Sequence, residues 1–530
     1  MRSLESRSRL LLVCSIAMLA AGAPISSAQS KGFREVELKP DELILGSAFE
    51  DLDGDERIDP VVAVGHRVGR EAVARQLVIH RLKSATEGGP PTYVEAFRLD
   101  VPDDVVAFGV GDLLGQGQSQ IVYFTARSAF AIDPAVGQPQ RVLGSQRFFF
   151  AASARDSLPF WDGIEDLDGD DRADLVVPLP RGYGVWRWSG SGLERVGTLE
   201  VERDYATFAD RAWEVVRTDL VSRRSVNRLG VADADGDGRR DLLSIEKKDI
   251  VAFHQSPEGR FPAEPSSRRR VISPRGMPFE RFMGGAGRAP PPNVVFGDIN
   301  ADGRVDIVVP ELDFRALSTR LRIFMGGEDG LPEAPSQIIK LSSMGDLPEL
   351  VDINGDGRLD LGCSTMRTDL LMALTRPSVD RLSYTYYGFL FDSTDGRFST
   401  RPDLKFDTTY PVSDDSGEGR TENEDQNWIP EEDSRFDAPN RDEQGFMGFV
   451  GDFDGDGTRD LLRTTPFGEI DVHRAKVSGS GDRSIRISER PLLEHEVEQV
   501  RGRWVGDLDG DGRSDLGFTL PDRVILLVSP

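Results

Sequence analysis

Residues 449–463 read Phe449-Val450-Gly451-Asp452-Phe453-Asp454-Gly455-Asp456-Gly457-Thr458-Arg459-Asp460-Leu461-Leu462-Arg463. Aspartates stand at positions 1, 3, 5 and 9 of a loop that begins at Asp452, with an apolar run before it and another directly after. The same pattern, D-x-D/N-G/A-D-x-x-x-D, begins at Asp51, Asp166, Asp233, Asp298, Asp352, Asp452 and Asp507. A damaged copy begins at Asp112, where Leu114, Gln116 and Gln120 occupy the acidic positions. The copies recur at a spacing of roughly 55 to 65 residues, apart from one long interval between Asp352 and Asp452, so one structural unit is being repeated.

In the last copy Asp507, Asp509, Asp511 and Asp515 are interleaved with Gly510 and Gly512, which let the backbone turn tightly enough to gather the carboxylates. Two unit charges about 4 Å apart repel by roughly 4 kcal/mol at an effective dielectric near 20. A divalent cation removes that penalty. Oxygen-only donors in a flexible loop favour calcium, because magnesium demands a stricter octahedron and zinc normally recruits His or Cys. No loop contains His or Cys within its nine positions. The candidate side-chain ligands are therefore Asp51, Asp53, Asp55 and Asp59; Asp166, Asp168, Asp170 and Asp174; Asp233, Asp235, Asp237 and Asp241; Asp298, Asn300, Asp302 and Asp306; Asp352, Asn354, Asp356 and Asp360; Asp452, Asp454, Asp456 and Asp460; and the four aspartates of the last copy. Up to seven calcium ions are expected, and none at Asp112. A bare Asp-Gly turn explains one copy equally well. Seven copies with the same positions filled favour metal.

An EF-hand requires a bidentate Glu at loop position 12 and helices on both sides. That position holds Val62, Val177, Ser244, Val309, Cys363, Arg463 or Phe518. The flanks instead read as strands: Val294-Val295-Phe296-Gly297 enters one loop, and Leu175-Val176-Val177 and Ile307-Val308-Val309 leave others. Each loop is thus the tip of a β-hairpin. Further strands with a Gly-Phe type of turn follow, as in Val251-Ala252-Phe253-His254 before Glu258-Gly259-Arg260-Phe261, and Phe389-Leu390-Phe391 before Asp395-Gly396-Arg397-Phe398. Four short antiparallel strands per unit describe a propeller blade.

These repeats resemble the FG-GAP/VCBS family, whose calcium-binding propellers include the head of integrin alpha subunits; Val450 to Gly457 is close to the family's ideal. The resemblance extends over nearly the whole chain after the leader. It implies side-chain ligation from positions 1, 3, 5 and 9, and a backbone carbonyl from position 7, here Arg57, Arg172, Arg239, Arg304, Arg358, Thr458 or Arg513. The expected fold is all-β, a propeller of eight blades of four antiparallel strands, with seven as the alternative. The C-terminal unit stops after Val524-Ile525-Leu526-Leu527-Val528, one strand short, and Lys31 to Leu38 reads like the missing turn and strand. An N-terminal strand is therefore expected to close the ring and cover its edge.

Residues 1–28 have the plan of a secretory signal peptide: Arg2, Arg7 and Arg9, an apolar run from Leu10 to Ala23, then Ser26-Ser27-Ala28. The apolar run is too short to span a bilayer. Residues 29–530 are expected to form the propeller, released to the periplasm, the cell surface or the medium. After cleavage Cys363 stands alone, so stability rests on core and metal rather than a disulfide. The net charge is -26, and most of the excess lies in the seven loops, which makes a nucleic-acid partner unlike this chain. The acidic segment 411–445, poor in apolar residues, reads as a mobile insertion in the long interval, with Trp428 and Phe436 as candidate partner-binding anchors. Together with the stretches 202–228 and 268–292 it joins the fourth strand of one unit to the first of the next.

Catalytic signals are thin. His66, His80, His254, His473 and His495 are scattered, and His495-Glu496 lacks the second histidine of a zinc-protease motif because Gln499 stands there. The leading expectation is a monomeric calcium-binding module for protein or glycan, used in adhesion or surface interaction. The alternatives are a polysaccharide-acting enzyme such as a calcium-dependent propeller lyase, and a structural protein of the cell envelope.

Overall fold

The computed structural model describes residues 32–530 except 69–71, 84–91, 145, 151–156, 191, 210–219, 227–228, 247–248, 272–292, 314–315, 329, 367–380, 412–445, 466–467, 479–483 and 498. The expected leader 1–28 lies outside the described residues, as does the acidic insertion with Trp428 and Phe436, apart from Pro411.

Eight four-stranded antiparallel sheets account for the repeats. Blade 1 contains Leu43–Glu50, Asp59–Val68, Ala72–Lys83 and Thr92–Val101. Blade 2 follows with Val105–Gly111, Gln120–Thr125, Ala129–Ile132 and Pro139–Leu143. Ile164–Glu165, Asp174–Leu179, Gly182–Trp188 and Leu193–Leu199 make blade 3, and Leu229–Ala232, Asp241–Glu246, Asp249–Phe253 and Ser267–Arg270 make blade 4. In blade 5 the strands are Val295–Gly297, Asp306–Asp313, Ser318–Phe324 and Gln337–Leu341. Blade 6 uses Met344–Val351, Asp360–Met366, Arg381–Phe389 and Leu404–Pro411, and blade 7 uses Phe446–Gly451, Asp460–Thr464, Glu469–His473 and Leu493–Glu496.

Blade 8 is built from both ends of the described chain. Gly502–Gly506, Asp515–Thr519 and Val524–Val528 supply three strands, and Arg34–Leu38 pairs antiparallel with Val524–Val528 as the fourth. The expected closure and the number eight are both found. The second strands of blades 2 and 3, Gln120–Thr125 and Asp174–Leu179, are buried along their whole length, as is Val524–Val528. Both faces of an inner strand meet a neighbouring blade, so these strands read as continuous apolar runs rather than alternating ones. At the closing seam Val524, Leu526 and Val528 of blade 8 pack with Ile44, Val62 and Val78 of blade 1 in a single apolar cluster.

Two expectations need correction. The residue after the Gly turn does not start the fourth strand of its own blade but packs into the blade before it. Phe261 donates its N–H to the Val196 carbonyl of blade 3 at 3.0 Å and joins that blade's cluster with Val185 and Leu199. Phe398 packs in the same way toward blade 5, and Phe33 toward blade 7, where its ring lies 6.2 Å from that of Phe453. These apolar side chains are wedges between blades. Secondly, Arg268 to Arg270 belong to the fourth strand of blade 4 rather than to the connector. The connector 202–228 is not structureless either, since Arg203–Ala209 and Leu220–Val226 pair as a hairpin.

A chain lacking residues 32–38 should expose the Val524–Val528 edge and remove the Phe33 wedge. Its thermal midpoint should fall well below that of the intact protein and its elution on size exclusion should become concentration-dependent; an unchanged midpoint would contradict ring closure.

Candidate metal centres

All seven acidic loops join the first and second strands of a blade, so the alternation of strand direction brings them to one face of the ring. The turn is shaped by two residues with positive φ, at positions 4 and 6. In the Asp452 loop these are Gly455 at 74° and Gly457 at 84°. Three loops accept a side chain there: Glu56, Asp171 and Ala301 adopt φ of 63°, 64° and 59°. A Cβ in that region costs roughly 1 kcal/mol.

The position 1 carboxylate organises the turn. Asp452 accepts the N–H of Gly455 at 2.7 Å on Oδ1 and that of Gly457 at 2.8 Å on Oδ2. Asp51, Asp166, Asp233, Asp352 and Asp507 accept the corresponding pair of N–H groups, and Asp298 accepts those of Asp302 and Gly303. Position 5 accepts from the N–H of position 7: Asp55 from Arg57, Asp170 from Arg172, Asp237 from Arg239, Asp302 from Arg304, Asp356 from Arg358, Asp456 from Thr458 and Asp511 from Arg513, all at 2.9 or 3.0 Å.

Position 9 is different, because its carboxylate is buried. Asp241, Asp306, Asp360, Asp460 and Asp515 are fully shielded from solvent, and Asp59 and Asp174 nearly so. Asp460 Oδ2 accepts the N–H of Phe453 at 3.1 Å and Oδ1 accepts that of Ala475 at 2.9 Å, tying the loop to the end of the third strand. Asp241, Asp306, Asp360 and Asp515 repeat both bonds. Burial pushes the carboxyls of Asp306, Asp360, Asp460 and Asp515 up to about 7 despite those donors. Asp59 is likewise pushed up to about 7 by burial, against the pull of Arg81.

The residues fit a hard cation. Carboxylate oxygens of Asp51, Asp53 and Asp59 lie within 4.8 Å of one another, and so do those of Asp166, Asp168 and Asp170, of Asp233, Asp235 and Asp237, and of Asp452, Asp454 and Asp460. Buried Oδ1 atoms of Asp53 and Asp509 meet no hydrogen-bond donor among the described residues. All donors at these sites are oxygens except where His254 approaches Asp235 and Asp241. The damaged loop is held another way: the Gln120 amide donates to Asp112 Oδ1 at 3.3 Å and to the Gln118 carbonyl, while its oxygen accepts the Leu114 N–H.

The loops also touch one another. The N–H of position 8 donates to the backbone carbonyl at position 1 or 2 of the loop in the blade before: Ser119 to Leu52, Ala173 to Asp112, Val305 to Asp233, Leu359 to Ile299, Arg459 to Ile353, Ser514 to Asp452, and Ile58 to Leu508 across the closure, at 2.8 to 3.3 Å. In blade 4 the Arg240 side chain takes over, donating to the Asp166 carbonyl at 2.6 Å. The position 7 arginines Arg57, Arg172, Arg304 and Arg513 lie over the preceding loop, so that a Cβ added to Gly236 would come within 2.7 Å of Arg304 Nε.

Sequence reasoning passed over a further set of residues, the basic groups that face position 3. Arg187 is held by Asp168 at 2.7 Å and by both oxygens of Asp174 at 2.8 and 2.7 Å. Arg81 reaches Asp53 at 3.1 Å, His254 Nδ1 reaches Asp235 Oδ2 at 3.1 Å, Arg474 contacts Asp454, and Arg34 approaches Asp509 at 3.9 Å. His254 was expected only as a strand or surface residue. The signal was available as a recurring basic residue at the end of the third strand, but the variable hairpin lengths hide it. Cys363 is buried in the core and forms no disulfide among the described residues.

A ring of eight four-stranded blades with acidic hairpin tips defines the class: a β-propeller built on an aspartate-loop repeat. Residues 233–309, which span two of the loops, match the family described as FG-GAP-like repeat, and the propeller fold of the chain fits that repeat family. No curated protein matches the chain. Among solved structures, one entitled "Crystal structure of BBS1N in complex with ARL6DN, soaked with lead" is similar at 12% identity and a TM-score of 0.33, over 81% of this chain and 94% of that one. Among the described residues no helix is long and apolar enough to cross a membrane.

Two substitutions separate scaffold from cage. Asp460→Ala strands two buried N–H groups and should cost about 3 kcal/mol by denaturant unfolding even in excess chelator. Ala301→Gly, which relieves the positive φ, should instead raise stability by about 0.5 kcal/mol in the same assay.

Proposed function

We propose that the protein is an exported, calcium-stabilised propeller that presents its connector face to a protein or glycan partner. The observation that carries this reading is the ring of seven matched carboxylate loops on one face, with buried carboxyls that burial drives toward protonation.

Calcium would supply the missing counter-charge at those loops, held by the aspartates or asparagine at positions 1, 3, 5 and 9 and a carbonyl at position 7. The fold itself is consistent with a protein-interaction module. The antiparallel order of each blade sends the connectors between fourth and first strands to the face opposite the loops, together with the turns between second and third strands. On that face a cavity of about 310 Å³ opens between blades 7 and 8, lined by residues that include Thr464, Thr465, Val497, Arg501 and Phe518. Among the described residues its lining includes no His, Tyr or carboxylate, and the connector face is read as an interaction surface.

Metal that binds only the folded chain stabilises it by mass action. Adding calcium to chelator-stripped protein should raise the thermal midpoint, with up to seven ions bound per molecule by metal analysis. The pair Asp452→Ala and Asp454→Ala should remove about one ion, not all of them. A midpoint indifferent to calcium, with no ion retained at saturation, would overturn the calcium reading. Export is checked separately by sequencing the N-terminus of protein recovered outside the cytoplasm, which should begin at Gln29. The partner is sought by passing calcium-loaded protein over polysaccharides and envelope fractions while monitoring for unsaturated sugar products, which would instead support the lyase.

A further inference from the structure

The seven loops differ at position 3, and the difference is matched elsewhere in the blade. Five loops carry Asp there: Asp53, Asp168, Asp235, Asp454 and Asp509. Two carry Asn: Asn300 and Asn354. The residue that faces position 3 lies at the end of the third strand, one place beyond the residue paired with loop position 10. Leu175 pairs with Trp186, Leu242 with Phe253 and Leu461 with His473, which puts Arg187, His254 and Arg474 at that place. Blade 1 supplies Arg81, which contacts Asp53. In the two asparagine loops, Ile307 pairs with Phe324 and Leu361 with Phe389, and the next residues are Met325 and Leu390. Blade 8 has Val528 at this place, and there Arg34, from the closing strand paired with it, approaches Asp509 instead. The damaged loop has neither half of the pair: Leu114 stands at position 3 and Asp133 follows Ile132.

We infer that loop position 3 and the facing third-strand residue form a charge-compensating pair that sets how many unneutralised carboxylates each loop offers to a cation. With Asp and Arg the extra negative charge is cancelled inside the blade. With Asn and an apolar residue it is never introduced. Both solutions remove the uncompensated charge at position 3; Arg187 and Arg81 extend also to the position 9 carboxylates Asp174 and Asp59. The amide behaves accordingly: Asn300 Nδ2 donates to Asp302 at 3.0 Å and Asn354 Nδ2 to Asp356 at 3.2 Å, so neither needs a basic partner. The third-strand arginines are thus positioning residues, tuning calcium affinity through the position 3 carboxylate. This inference rests on the calcium reading for its effect on metal, but the pairing itself is a property of the chain.

The two solutions can be interconverted in blade 7. Asp454→Asn, Arg474→Met and the double variant form a double-mutant cycle in the full chain, and the double variant copies the Asn300 and Met325 arrangement. In excess chelator, Arg474→Met should lower the thermal midpoint, and adding Asp454→Asn should restore most of the loss. In equilibrium dialysis at a free calcium level that just fills the native protein, Asp454→Asn alone should lose about one ion per molecule, and the double variant should regain it. Additive losses, with the double variant as impaired as the sum of the singles, would overturn the inference. Should Arg474→Met fail to fold, the reciprocal pair Asn300→Asp and Met325→Arg reads the same coupling: the first alone should lower the midpoint in chelator, and the second should reverse it. Failure of the calcium reading looks different, since no variant would then take up the ion while the chelator cycle would still show coupling.

Discussion

The buried aspartate at loop position 9 is the interaction on which the ring depends. It lies where the first, second and third strands of a blade come together, and it satisfies N–H groups that the turn withdraws from the sheet ladder. In blade 7, Asp460 accepts from Phe453 at the loop entrance and from Ala475 just past the third strand, and it does so without exposure to water. A carboxylate in that position brings a desolvation cost, seen as the upward displacement of its protonation toward neutrality. The rest of the loop is arranged around that cost. Position 1 closes the turn, position 5 braces its far side, and the gathered oxygens form the place where positive charge is most favourable.

The same geometry explains why the loops act as a ring rather than as independent hairpins. Each loop donates a backbone hydrogen bond, or in blade 4 an arginine side chain, to the loop before it, and the Ile58 to Leu508 bond carries the chain of contacts across the closure. The apolar wedges Phe33, Phe261 and Phe398 do the equivalent work elsewhere between blades. Each loop is therefore tied to its neighbours through these contacts. The damaged loop at Asp112 is held differently, its Gln120 amide bonding Asp112, the Gln118 carbonyl and the Leu114 N–H without charge, while the Ser119 and Ala173 bonds keep blade 2 tied to its neighbours.

Much of this was legible in the chain because the repeat announces itself. The acidic positions, the glycines between them and the apolar runs on either side specify a hairpin tip, and eight tips with one missing outer strand specify a closed ring. What could not be read were contacts whose sequence separation varies. Arg187 and His254 lie the same distance beyond position 9 of their loops, but Arg81 and Arg474 do not, because the second and third strands differ in length from blade to blade. Register, not spacing, aligns them. Likewise the Gly-Phe turn was recognised as a turn, but its role as a wedge into the preceding blade depends on which sheet lies alongside, which only the ring supplies.

Charge balance then links the scaffold to its proposed ion. An additional unneutralised carboxylate makes a loop repel itself more strongly when no cation is bound, and too few hold a divalent ion weakly; removing the charge at position 3 is a compromise between folding before the metal arrives and retaining it afterwards. Asp454 with Arg474 and Asn300 with Met325 reach that compromise from opposite directions. Repeats that drift apart in sequence can keep a common charge in this way, because a change at position 3 is tolerated when the facing residue changes with it. The blade, rather than the nine-residue loop, is then the unit that defines a site.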